Sequence, residues 1–359
     1  MARHADIPEV GTLSGLKVAF QAISVAGPFF GTLCADQGGD VIWIEQAAGP
    51  GMDRNNPDGI NTVAQDRRNM RSLLLDIPSP EGKKVFLNLV KDLDIFVEAS
   101  KAGQYAKWGL TDAVLWEANP KLIIVHMSGF GQYGDPDYVR RASYDPIAQA
   151  FGGLMYVNSK PDQPMTQIAP VIGDFLVALM AYGSALGAYM KAQKTGIGES
   201  IDISQYEAII RCMNASALKD WNNPKGHILR FEPGFPNNHT AGYNSYLCKD
   251  GKNVMMLLIN TAVMRKAFPV LGLEYGTEEL PEKHVYKDWE PHGIILEEAV
   301  KKFCSEHTAQ EVEDALSPLG VPCICALTFD QMLEHPHYKA REPDAFAVTK
   351  IGSPPAEQT

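Results

Sequence analysis

Five short apolar runs, alternating with helical stretches along the first part of the chain, constrain it more than any other feature. Leu16-Lys-Val-Ala-Phe20, Val41-Ile-Trp-Ile44, Ser72-Leu-Leu-Leu75, Ile95-Phe-Val97 and Leu122-Ile-Ile-Val125 carry apolar residues at consecutive positions. A strand of that kind has to be buried on both faces. Between the runs, Pro28 opens a helix at its first turn that continues to Ala35. Ser79-Pro80-Glu81 caps a second helix, on which Val85, Phe86, Leu89 and Val90 make one apolar stripe. Thr111 caps a third, which ends before Asn119-Pro120. Two-faced strands alternating with helices imply an α/β fold with a Rossmann-like parallel sheet, covered by helices on both sides.

The pattern then changes. Residues 175–190 form an almost uncharged stretch, short for a bilayer span and followed by the polar Lys191-Ala-Gln-Lys194, so it reads as a buried helix. A strand at Ser200-Ile-Asp-Ile203 and a helix over 205–218 close a large domain of residues 1–220. Residues 221–240 are rich in Pro, Asn and Gly and read as a linker. Residues 243–259 have hairpin character around Lys249-Asp250-Gly251-Lys252. Helices over 294–307 and 309–316 and a strand over 321–327 complete a smaller α+β domain, 241–330. The last residues, 352–359, are polar and read as a loose tail.

Bulk properties narrow the partners. A net charge of −11 over 359 residues argues against nucleic-acid and anionic-membrane partners, which need a basic footprint. The N-terminus lacks the apolar segment of a signal peptide. Six cysteines without a CxxC pair suggest buried thiols in a reducing cytoplasm, and no metal site is expected. The histidines lack metal-ligand spacing, and His126, after an apolar strand, reads as packed.

Gly173-Asp174 stands at the mouth of the uncharged helix. A carboxylate there can be an N-cap, stabilised by the positive end of the helix dipole, or a nucleophile, and spacing alone favours the cap. Gly129-Phe-Gly131-Gln-Tyr-Gly134 satisfies G-x-G-x-x-G after a strand, but Asp135-Pro136-Asp137 begins a turn where a dinucleotide site needs a helix. A nicotinamide cofactor is therefore not expected, and the segment reads as a flexible glycine loop. Basic residues cluster at Arg67-Arg68 with Arg71, at Lys101 with Lys107, and at Arg140-Arg141. Each cluster is expected near the carboxyl edge of the sheet, where α/β folds place ligands, and together they suit phosphates.

An ordered set of motifs along the whole chain resembles the class III (family III) CoA-transferases. It comprises Leu13-Ser-Gly-Leu-Lys-Val18, Ala26-Gly27-Pro28, Asp40-Val-Ile-Trp-Ile-Glu45, Arg68-Asn69 and Asp94-Ile-Phe-Val-Glu-Ala-Ser-Lys101. It continues through Asn119-Pro-Lys-Leu122, Ser128-Gly-Phe-Gly131, Tyr144-Asp145, Gly173-Asp174, Thr195-Gly196-x-Gly198-Glu199-Ser200-Ile-Asp202 and Tyr206-Glu207. The carnitine CoA-transferase branch is the most similar, with Val41-Ile-Trp-Ile-Glu45 and Asp162-Gln-Pro-Met165 in its pattern. Gly134-Asp-Pro136, Arg141-Ala-Ser-Tyr-Asp145 and Gln205-Tyr-Glu-Ala208 look more like the bile-acid CoA-transferases.

The resemblance implies that Asp174 is a covalent nucleophile, that coenzyme A and acyl-CoA are substrates, and that a small carboxylic acid of carnitine or betaine type accepts the CoA. It implies CoA contacts from Val25, Ala26, Arg68, Arg71, Lys101, Lys107 and Tyr144. It also implies loop roles for Gly129, Gly131, Gly134, Ala241 and Gly242, whose backbone N–H groups are candidate oxyanion donors, and an interlaced homodimer. Residues 331–359 would return toward the large domain.

Four positions depart from the family's better-known members: Val25 replaces a glutamine, Met70 a lysine and Trp108 an arginine, and the glycine loop is reduced to Ala241-Gly242. Family members usually extend further at the C-terminus, so a short form with reduced stability or activity is an open expectation. A bile acid is the alternative substrate. An acyl-CoA racemase would need a histidine base where Tyr144 stands, and tyrosine, with a reference pKa near 10, is a poor one. A CoA-ester-binding protein without turnover is the remaining alternative. For a quaternary-ammonium acid, Trp221, Tyr243 and Tyr246 are candidate cage residues.

Overall fold

A computed structural model describes residues 11–46, 57–159, 164–213, 218, 221–222 and 240–340, with only the backbone at 57–61. The chain divides into two compact units, Met1–Arg230 and Phe231–Thr359.

In the first unit, strands β1 (Lys17–Gln21), β2 (Asp40–Glu45), β3 (Arg71–Leu74), β4 (Ile95–Glu98), β5 (Ile123–Ser128) and β6 (Glu199–Ser204) form one parallel sheet in the order β3-β2-β1-β4-β5-β6. The consecutive apolar residues of β1, β2, β4 and β5 are the reason the sheet is buried on both sides there, because successive side chains point to opposite faces. β3 is instead an edge strand whose Leu74 stays 65% exposed, against the two-faced burial expected of it. Val18, Phe20, Val41, Trp43, Ile95, Val97, Ile123 and Val125 enter one core; Ala19, Ile42, Ile44, Phe96, Ile124 enter the other. The first core packs against α1 (Ala26–Asp36) and α9 (Ile172–Thr195), and the second against α3 (Pro80–Val90) and α5 (Asp112–Ala118). Ser79 and Thr111 cap α3 and α5 as their positions predict. The remaining helices are α2 (Pro57–Asp66), α4 (Gln104–Lys107), α6 (Pro136–Val139), α7 (Asp145–Phe151), α8 (Leu154–Asn158) and α10 (Gln205–Cys212). The helix expected over 205–218 ends earlier, at Cys212 with Met213 as its C-cap residue; 214–217 lie outside the described residues.

The uncharged stretch is longer than expected. α9 spans 24 residues and is long and apolar enough, by length and composition, to cross a membrane. Its packing explains the composition instead: Val177, Ala178, Ala181, Ala185, Ala188 and Ala192 recur every three to four residues and are buried against the sheet core.

The second unit holds the hairpin β7 (Tyr243–Leu247) and β8 (Asn253–Leu257), with β9 (Cys323–Cys325) added antiparallel in the order β7-β8-β9. α11 (Thr261–Val270), α12 (Pro291–Glu306) and α13 (Ala309–Leu316) enclose its own core, which includes Phe268, Tyr286, Leu296, Val300 and Val312. Thr308 and Glu311 form a reciprocal capping box at the start of α13. α14 (Phe329–Glu334) and α15 (Pro336–Ala340) follow. The expected linker falls largely outside the described residues, as does the tail beyond 340.

Candidate active site

A cavity of about 740 Å³ opens at the carboxyl ends of β1, β2, β4 and β5. This edge includes the point where the strand order reverses, between β1 and β4, which is where open α/β sheets bind ligands. Asp174 lies in its wall, 4% exposed.

Asp174 is the third residue of α9 and does not cap it. Val171 is the N-cap residue, with no side-chain cap, and the Asp174 N–H donates to the Val171 carbonyl at 3.1 Å. The carboxylate instead turns toward α10 and accepts a hydrogen bond on Oδ1 from Gln205 Nε2. Gln205 begins α10 directly after β6, where Ser204 caps the helix. Ser143 Oγ donates to Gln205 Oε1 at 3.4 Å, which directs the amide NH2 toward Asp174.

A second carboxylate fixes the start of α9. Asp145, 2% exposed, begins α7; its Oδ1 accepts the Gly173 N–H at 2.6 Å and its Oδ2 accepts Gln149 Nε2 at 2.6 Å. Gln149 also donates to the Ile168 carbonyl (2.9 Å) and accepts from the Ile168 N–H (2.8 Å), so the segment entering α9 is held through both backbone groups of Ile168. A Cβ at Gly173 would lie 2.8 Å from Asp145 Oδ1 and 2.9 Å from Ile209 Cδ1. Only glycine lets the helix start this close to Asp145. Burial, followed by the neighbouring Asp145 charge, pushes the Asp174 carboxyl up to about 7, and the Gln205 hydrogen bond only partly opposes this. Burial and the Asp145 charge thus work against the ionised form that a helix N-terminus favours.

Residues 13–345 match the model of CoA-transferase family III. The chain belongs to this family. It is 37% identical to the bile acid CoA-transferase BaiK of Clostridium scindens over 344 residues, covering 94% of this chain and 76% of that protein. A CAIB/BAIF family protein from Brucella suis superposes with a TM-score of 0.78 at 25% identity, covering 93% of this chain and 88% of that one. A hypothetical protein from Mycobacterium tuberculosis repeats the fold (TM-score 0.78, 19% identity, 93% and 90% covered).

As a family III CoA-transferase, this enzyme uses acyl-CoA as a substrate. The cavity gathers Ala26, Lys101, Gly129, Tyr144 and Asp174. Val25 adjoins it as the N-cap residue of α1. Lys101 and Arg141 bring cationic side chains to its lining, and the Arg141 guanidinium lies 3.8 Å from the Tyr138 ring centre. Gly129 packs where a Cβ would meet Ser143 Cβ at 2.1 Å, which brings the glycine loop onto the Ser143–Gln205 pair. Gly131 and Gly134 continue that loop at φ 85° and 131°, and it leads into α6, one turn long.

Several expected contacts lie elsewhere. Arg71 is the first residue of β3, and in a parallel sheet that places it at the amino edge, where it pairs with Asp40 at 2.5 Å. Arg68 pairs with Asp36 at the end of α1. Neither lines the cavity, and nor does Lys107, at the end of α4. The neighbouring Arg67 does serve this edge: it is 5% exposed, donates to the carbonyls of Ile23 (2.9 Å) and Ser24 (3.1 Å), and stacks 4.7 Å from the Trp43 ring centre.

Ala241 and Gly242 belong to the second unit, where their N–H groups donate to the Tyr286 carbonyl (2.9 Å) and Glu297 Oε1 (2.7 Å). As oxyanion donors they are already occupied. The Gly131 N–H is likewise bonded to Ser128 Oγ, at 2.8 Å.

Among the proposed cage residues, Tyr246 belongs to the core of the second unit and donates to Glu297, Tyr243 lies on β7 of that unit, and Trp221, in the first unit, does not line the cavity. Sequence reasoning gave no role to Ser143, Gln149 or Gln205. The four-residue Asp145–Gln149 spacing was an available signal, since side chains four apart meet on a helix; nothing local marked Gln205.

Proposed function

We propose that this CoA-transferase moves CoA from an acyl-CoA donor to a free carboxylic acid through covalent intermediates on Asp174. A buried carboxylate, open to a ligand-sized cavity at the sheet's switch point, carries the reading. The ionised carboxylate attacks the donor thioester carbonyl; a C–O bond forms, the C–S bond breaks, and an acyl-aspartyl anhydride and CoA thiolate result. The thiolate then attacks the aspartyl carbonyl and expels the donor acid, leaving an aspartyl-CoA thioester. The acceptor carboxylate repeats the two exchanges in reverse, releasing its CoA ester and free Asp174. Splitting one transfer into four acyl exchanges lowers each barrier, and CoA is conserved throughout.

The acceptor we favour is a bile-acid-type carboxylic acid, supported by the 37% identity to a bile acid CoA-transferase. A carnitine-type acid is the second reading: Phe130 and Glu45 line the cavity and combine aromatic and acidic character suited to a quaternary ammonium. Incubation with cholyl-CoA or carnitinyl-CoA and a panel of free acids, followed by mass spectrometry, separates these readings. CoA exchange and a hydroxylamine-sensitive label on Asp174 are expected, and Asp174→Asn should reduce turnover by roughly 10⁴ or more. An Asn variant that stays fully active, with deamidation excluded, rules out the covalent role.

A further inference from the structure

The side chain that touches Asp174 has a chemical consequence for only half of the exchange steps. Gln205 Nε2 donates to one oxygen, Oδ1, and the Ser143 hydroxyl lies 3.4 Å from the amide oxygen on the other side. Gln205 is 8% exposed and Asp174 4%, so their hydrogen bond is made at the buried wall of the cavity. With Oδ1 held, Oδ2 is the oxygen left to attack the donor thioester and to become the bridging oxygen of the anhydride. Oδ1 then becomes the carbonyl oxygen of the aspartyl group, still facing the amide.

We propose that Gln205 is a catalytic residue that stabilises the oxyanion formed on Asp174's own carbonyl, a role that rests on Asp174 being the nucleophile. When CoA thiolate attacks Cγ, the C–S bond forms and the carbonyl electron pair moves onto Oδ1, beside the Gln205 N–H. Collapse restores the carbonyl and breaks Cγ–Oδ2, so that Oδ2 leaves with the donor carboxylate. The acceptor's attack on the aspartyl-CoA thioester places the same charge on the same atom and expels thiolate. In the other two steps the tetrahedral carbon belongs to the substrate acyl group, whose oxyanion develops away from Oδ1. Gln205 therefore serves the aspartyl-centred steps and leaves the substrate-centred ones to other donors.

The test is a rapid-quench comparison of wild type and Gln205→Leu with cholyl-CoA and carnitinyl-CoA, above the titration range of Asp174, with intact-protein mass read at each time. Wild type should pass quickly to the CoA adduct. In Gln205→Leu, conversion of the acyl adduct into the CoA adduct should slow by about 10²–10³, as for loss of one oxyanion donor. Acyl-adduct formation should change far less, so that adduct accumulates. Gln205→Met, a second apolar replacement, should reproduce the pattern should the Leu variant melt early. Equal slowing of both steps, or adducts at the wild-type rate, overturns the assignment and leaves Asp174's role intact. Wild type forming no adduct with either ester overturns the Asp174 reading and this one together.

Discussion

Asp174 places reactivity and stability in opposition at one residue. Its carboxyl is raised from 3.8 to about 7 by burial and by Asp145, so the folded chain retains a proton there after the unfolded chain has lost it. Stability from this group is fully present below the unfolded value and is lost as pH rises through about 7. The reaction needs the opposite state, because only the carboxylate attacks. Asp174→Asn should therefore raise the melting temperature at about pH 8 and change it little at about pH 4. In wild type, kcat/KM should increase with pH through about 7. Melts of both proteins across this range, with the pH–rate profile of wild type, check the two halves separately. An Asn variant no more stable than wild type at the higher pH contradicts a strained, buried carboxylate.

At the scale of elements, a charged clip ties together β4, β5 and α5 close to the carboxyl edge of the sheet. His126 on β5 bonds Glu98 at the end of β4 through Nδ1 (2.6 Å) and Asp112 in the first turn of α5 through Nε2 (3.1 Å). Glu98 Oε2 in turn accepts the Ser100 N–H at 2.8 Å, next to the cavity residue Lys101. Burial disfavours the imidazolium, but the hydrogen bonds and charges of Asp112 and Glu98 outweigh it and raise His126 to about 10. The clip's contribution should be complete below about 6.5 and be lost as pH rises through about 10. Between about pH 7 and pH 10 wild type should lose thermal stability, and His126→Gln, less stable at neutral pH, should show a flatter profile. Parallel slopes for the two proteins in a melt series would mean that His126 is neutral and merely packed.

Across the molecule, what was legible in the sequence is what local chemistry decides. The two-faced strands reported a covered parallel sheet, Ser79 and Thr111 marked helix starts, and Lys249-Asp250-Gly251-Lys252 marked the hairpin turn, because each signal lies within a few residues of its effect. The edge on which Arg71 falls depends on pairing with Ile42, and the partners of Asp174 and Gly173 lie 31 and 28 residues away, so neither was available from spacing. The same reasoning extends to assembly. α9 buries an alanine stripe on one side, while Leu179 and Met190 stay 48% and 63% exposed within its unit. Apolar side chains left open on the longest helix fit a second chain covering them, consistent with the interlaced homodimer implied by the family resemblance. Light scattering should give a mass of twice 39.3 kDa. Interlaced chains cannot part without unfolding, so the melting temperature should rise with protein concentration and dilution should yield no folded monomer. A folded, active monomer at micromolar concentration would rule out the assembly and leave the exposed face of α9 to be explained within one chain.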